Sequence, residues 1–135
     1  MLYILFTGSR EPSNPEEVEH LVRTHLGPHV AKLGPENVVP VHGSAVGVDS
    51  IVQGIVDGWY GMHSDTFPAN FFRDPLVRNA FMVKYVSDRK SRGHQVACWA
   101  FAEKWASGTG ACARYARAAN IPTVDWGINT ERSAR

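Results

Sequence analysis

Residues 2–10 read LYILFTGSR. Leu2 to Phe6 are apolar without alternation, and the run stops at Thr7-Gly8-Ser9-Arg10. A short run that is apolar on both faces suits a central strand of a parallel sheet, covered by helices above and below. The next residues fit that assignment. Ser13-Asn14-Pro15-Glu16-Glu17 supplies a capping residue, a proline for the first helical position and acids for the first turn. Val18, Leu21, Val22 and Leu26 then recur at helical spacing, and Gly27-Pro28 is expected to end or kink this helix.

The alternation continues along the chain. Val38 to His42 reads as a second strand, with Pro40 awkward in a central position. The small-residue loop Gly43-Ser44-Ala45-Val46-Gly47 leads to a helix from about Asp49 to Trp59. A polar third strand is expected at 63–68. A helix then opens at Pro75, with Leu76, Ala80, Val83 and Val86 on its inner face and a solvated connector at 87–94. Gln95 to Phe101 is the fourth strand. WASGTGACARYARAAN (105–120) leads into a helix to about Ala119, and Ile121 to Trp126 is the last strand. Strand–helix alternation of this kind predicts an α/β fold: one Rossmann-like three-layer domain over 1–127, a mostly parallel five-stranded sheet in the order 3-2-1-4-5, and a tail at 128–135.

The composition sets bounds. A chain of 135 residues with 44% apolar and 20% charged residues suits one globular domain. A net charge of +1 lacks the footprint of a strong duplex binder. The two cysteines, Cys98 and Cys112, make neither a disulfide framework nor a zinc pattern, so reduced thiols in a cytoplasmic protein are expected. Residues 1–6 are too short for a signal-peptide core, no apolar run reaches membrane-spanning length, and no membrane association is expected.

In an open sheet of this order ligands sit beyond the carboxyl ends of the strands, where the order reverses. The loops Thr7-Gly8-Ser9-Arg10, Gly43 to Gly47 and Ser107-Gly108-Thr109-Gly110 would meet there. Three readings of the last loop stand open. It fits a dinucleotide fingerprint with Asp125 as the ribose acid, a plain helix cap, or a phosphate-cradling loop of another type. Asp49 either serves first-turn amides or accepts ligand hydroxyls and acts as a base. Arg78 and Asn79 would lie near a helix start at the crevice edge, where arginine suits phosphate or carboxylate. His42 ends a strand beside the Gly43 loop and could point into the site, and Phe71 and Phe72 could stack on a base. Trp59, Trp99 and Trp105 read as packing. No glycine loop carries Gly-Lys-Ser/Thr, the six histidines lack metal spacing, and no Ser-His-Asp set is indicated. No metal and no cofactor are expected.

Several stretches occur together and in order: Thr7 to Arg10, His42 to Asp49, Phe67-Pro68-Ala69, Pro75 with Arg78-Asn79 and Met82, Gly108-Thr109, and Ala119 to Pro122. Over residues 3 to 126 they resemble the YspA-like branch of the SLOG superfamily, which includes the lonely-guy phosphoribohydrolases and the Rossmann-like part of DNA-processing protein A. The resemblance implies a Rossmann-like fold binding nucleotides, cyclic nucleotides or ADP-ribose-type molecules. Its ligand residues would be Gly8, Ser9, Arg10, Gly43, Ser44, Gly47, Asp49, Arg78, Asn79, Gly108, Thr109 and Gly110. Lonely-guy enzymes carry a glutamate three residues beyond the Gly-Thr pair, where this chain has Cys112, and a neutral thiol cannot replace that carboxylate. The expectation is therefore a binding module, a sensor, carrier or sequestering protein. The alternatives are a nucleotide N-glycosidase with Asp49 as its catalytic carboxylate, and a single-stranded DNA binder. Lonely-guy relatives are often dimeric, so a homodimer is a further expectation.

Overall fold

The computed structural model describes residues 1–72, 74–101 and 107–126, with only the backbone at Ala69 and at 107–110. The strands are β1 (Leu2–Gly8), β2 (Val38–His42), β3 (Asp65–Thr66), β4 (Gln95–Phe101) and β5 (Thr123–Asp125). The helices are α1 (Pro15–Leu33), α2 (Val48–Asp57), α3 (Pro75–Ser91) and α4 (Ser107–Ala118). The five strands form one all-parallel sheet in the order β3-β2-β1-β4-β5, so the fold is Rossmann-like α/β. The tail expected at 128–135 and the tryptophan at 105 lie outside the described residues.

β1 is central because both its faces are apolar. Leu2, Ile4 and Phe6 pack with Val18, Val22, Leu26 and Val30 of α1 and with Val48, Val52, Ile55 and Val56 of α2. Tyr3 and Leu5 point the other way, into a second core with Met82, Val83 and Val86 of α3 and Cys112 and Ala116 of α4. The sheet is thus the middle of three layers, and β1 is the seam between two apolar cores.

Local signals set the helix starts. Asn14 accepts from the Glu17 amide at 3.3 Å while its side-chain amide donates to the Glu17 carboxylate at 3.0 Å, a reciprocal cap. Asp74 accepts from the Val77 amide at 3.0 Å, with Pro75 in the first helical position.

Three boundaries differ from the sequence reading. α1 runs through Gly27 and Pro28 to Leu33. Its buried residues, Val18, Val22, Leu26 and Val30, recur every fourth position, and tertiary burial of that stripe outweighs the bond lost at the proline. α3 continues to Ser91 instead of giving way to a connector. Its buried face is also rotated: Arg78, Asn79, Met82, Val83 and Val86 face inward, while Leu76 is 52% exposed. β3 shrinks to two residues, but the Phe67 amide extends its pairing by donating to the His42 carbonyl at 2.9 Å. At β5 the ladder reaches beyond the strand, through Cys98 N–H to Pro122 O at 2.8 Å and Trp126 N–H to Ala100 O at 2.7 Å.

Two glycines make opposite predictions. A Cβ at Gly27 would meet nothing within 4 Å inside a helix, so Gly27→Ala is expected to raise stability by about 0.5–1 kcal/mol. A Cβ at Gly47, which holds φ +84°, would lie 2.3 Å from the Ser9 carbonyl oxygen. Gly47→Ala is expected to lose at least ~2 kcal/mol from backbone strain and displacement. Urea denaturation of the two variants against the parent checks both signs.

Candidate functional site

Two loops at the carboxyl ends of β1 and β2 are locked together. The Val48 amide at the start of α2 donates to the Ser9 carbonyl at 3.0 Å. A Cβ at Gly8 would lie 2.4 Å from a Val48 methyl, and one at Gly47 would strike the Ser9 and Arg10 backbone. Glycine at both positions lets α2 begin directly against the end of β1.

The loop after β2 is tied to the same helix. Asp49 Oδ2 accepts the Gly43 amide at 3.1 Å and the Ala45 amide at 3.2 Å. Between them Ser44 takes φ +55°, and its amide donates to His42 Nδ1 at 3.0 Å. An amide can only donate, so Nδ1 is the bare nitrogen, and the Nε2–H donates to Gln53 Oε1 at 2.9 Å. Gln53 in turn donates to Asp57 Oδ1 at 2.7 Å. His42 is therefore tied to α2 through Gln53. The amides of residues 43, 44 and 45 are all engaged inside the protein. The expectation that this loop cradles an anion is narrowed to the amides of Val46 and Gly47.

A cavity of about 300 Å³ opens beside these loops, at the small end of the range for ligand clefts. Gly8, Ser9, Arg10, Asp49, Arg78 and Asn79 all line it, as the sequence reading expected of them. Gly43 and Gly47 stand behind the lining. Ser44 is exposed outside it, and Ser9 Oγ already accepts the Glu11 amide at 3.1 Å. Phe6, Thr7, Ala45, Pro75 and Met82 complete the wall. The sequence reading placed Thr7 and Ala45 in loops at this crevice but named none of the five as a ligand residue.

Gly108, Thr109 and Gly110 form the first turn of α4 instead of a loop ahead of it. Cys112, in the next turn, is buried in the same core as Leu5 of β1. That packing brings the start of α4 against β1. Phe71, 75% exposed, and Phe72, packed 5.3 Å from the Phe81 ring, do not line the cavity.

Arg78 dominates the electrostatics. It is 8% exposed, and its guanidinium lies over Gly43, where a Cβ would come within 2.7 Å of Cζ and Nη1. Its Nη2 reaches Asn79 Oδ1 at 3.4 Å. Its buried Nε and Nη1 have no partner among the described residues. A buried cation with two unmet donors costs several kcal/mol unless something compensates it. Asp49 is the nearby carboxylate, but the ion pairs within 4.0 Å among the described residues are Arg23–Glu19 and Arg92–Asp88. Arg78 and Asp49 thus act on each other through their fields without closing a salt bridge.

Burial raises the Asp49 carboxyl above its usual range. The neighbouring His42 ring, the charge of Arg78 and the hydrogen bonds from Ala45 and Gly43 oppose that rise without cancelling it. Burial likewise pushes the Cys112 thiol up to about 11 and raises Cys98 further, so both cysteines are free, buried and uncharged. Among the described residues no cluster of metal-binding side chains occurs, and no helix is long and apolar enough to cross a membrane.

Set against protein-family models, curated proteins and solved structures, the chain matches none.

A group whose folded pKa is raised holds its proton more tightly in the native state. That contribution is complete below the unfolded value, near 3.8 for Asp49, and is lost as pH rises through the folded value. Asp49→Asn keeps an oxygen for the two loop amides and removes the buried charge. Its melting temperature is expected to exceed the parent's at about pH 8, with the gap closing toward about pH 4. A gap that stays constant over this range would show that burial does not oppose ionisation here. Native Cys98 and Cys112 are expected to resist a thiol reagent at about pH 8 and to react once the chain is unfolded.

Proposed function

We propose that this chain binds a nucleotide-derived small molecule through an anionic group on Arg78, acting as a sensor, carrier or sequestering module. The observation that carries this reading is the Arg78 guanidinium itself. It lines the cavity, is nine-tenths buried, and keeps two donors without a partner among the described residues. An anion in the cavity would balance the buried guanidinium charge. Arg10 at the rim adds a second positive charge, and Thr7 and Asp49 offer hydroxyl contacts. The cavity lies at the carboxyl end of β1, lined by the loops after β1 and β2 and by α2 and α3, on the side of the sheet where ligands sit in open α/β folds. The resemblance to the YspA-like SLOG branch supplies the nucleotide character of the ligand.

A second reading, N-glycoside hydrolysis, is favoured by one observation: the buried Asp49 carboxyl lines the same cavity. Against it, Asp49 Oδ2 already accepts two amides, and the uncharged Cys112 supplies no further carboxylate. Turnover of nucleoside monophosphates that disappears in Asp49→Asn would establish it.

A thermal-shift series with adenosine monophosphate, cyclic AMP and ADP-ribose tests the binding reading. A ligand at a hundred times its Kd is expected to stabilise the protein by about 2.7 kcal/mol. Arg78→Met removes a buried, underpaired charge, so its unliganded melting temperature is expected to equal or exceed the parent's while the ligand response is lost. An unchanged response in Arg78→Met, or no response of the parent to any of the three, would overturn the assignment.

A further inference from the structure

We propose that Asp49 is the resident counter-charge of the Arg78 site and that an incoming anion drives its carboxylate to take up a proton, so that ligand binding is coupled to protonation. The inference rests on the anion reading of Arg78 and concerns how that site is regulated.

The geometry sets the competition. The carboxylate is pinned by the Gly43 and Ala45 amides, so it cannot swing out when another negative charge arrives. The guanidinium occupies the space over the same Gly43. Carboxylate and guanidinium thus flank one glycine, both line one cavity, and no salt bridge holds them. An anion on Arg78 diverts the field that favours the Asp49 charge and adds a like charge beside it. Two anions sharing one cavity resolve their repulsion when one binds a proton.

The groups acting on Asp49 come from each neighbouring element. His42 from β2 and Arg78 from α3 favour its ionised form, while Cys112 of α4 lies close enough to feel its charge. Arg10, in the loop after β1, lines the rim, and Asp57 reaches His42 through Gln53. The proton comes from solvent: the carboxylate and one proton become a neutral carboxyl, which still offers an oxygen to the two loop amides. The loop therefore keeps its shape while the charge changes.

Linkage gives the sign. Free Asp49 is ionised and bound Asp49 protonated over a window of pH above 3.8. Across it affinity falls as pH rises, by up to about tenfold per unit.

The test measures Kd for sulfate and for adenosine monophosphate between about pH 5 and 8, with calorimetry in two buffers of unlike ionisation heat. Sulfate does not titrate in this range, and the nucleotide phosphate's own titration is common to parent and Asp49→Asn. The parent is expected to take up a fraction of a proton that Asp49→Asn does not. At about pH 8 the variant is expected to bind roughly fivefold tighter or more, the size of an ordinary site–site coupling. Binding of either probe with equal proton uptake in both proteins overturns the proposal and leaves the anion site standing. Failure of both probes to bind overturns the site and the proposal with it. Should Asp49→Asn not fold, the parent's proton uptake on sulfate, which brings no titrating group, decides alone.

Discussion

Arg78 lies where a side chain at residue 43 would be, and the rest of the site is arranged around that contact. The guanidinium can be there only because Gly43 has no Cβ. Gly43 is held by Asp49, Asp49 belongs to the first turn of α2, and α2 starts against the end of β1 through Gly8 and Gly47. One cation is thus tied to three glycines in the loops at the ends of β1 and β2. Any residue larger than glycine at these points moves a backbone segment or the guanidinium itself.

This changes what the glycines are for. Glycine loops at strand ends suggest backbone bared to a ligand. Here Gly8, Gly43 and Gly47 make room for the protein's own groups: a valine side chain, a guanidinium and two carbonyls. The amides of residues 43 to 45 turn inward to Asp49 and His42. What faces the cavity is therefore mainly side-chain chemistry, a cation and a carboxylate that share it without touching. Such a pair responds to charge in a way a cradle of amides does not, because amides stay neutral while a carboxylate can gain or lose its charge.

The sheet was legible because its signal is dense. β1, β2 and β4 each carry uninterrupted apolar runs, and their bounds and order follow from those runs and from helix-capping chemistry. Periodicity failed at α3 for a physical reason. It ranks residues by apolarity, so it turned Leu76 and Ala80 inward, whereas the cavity draws Arg78 and Asn79 into the interior. It also ended α1 at Gly27-Pro28, where local propensity opposes the helix and packing of the Val18–Val30 stripe overrides it. Six residues that line the cavity were readable as neighbours because they sit at the ends of strands and helices, which an open parallel sheet gathers at one edge. The apolar wall of Phe6, Pro75 and Met82 was not, since nothing separates cavity-lining apolar residues from core ones until the chain is folded.

The shortness of β3 has a consequence at the edge of the sheet. The His42 carbonyl accepts the Phe67 amide, so the even-numbered residues of β2 present their backbone toward β3. β3 pairs only Val41 and His42 and stops short of Pro40, which is buried like the rest of β2. Pro40 shares the parity of His42, so the missing N–H falls where the ladder to β3 has ended. The residue that looked misplaced in a central strand thus leaves no amide donor stranded in the interior just beyond the last paired position.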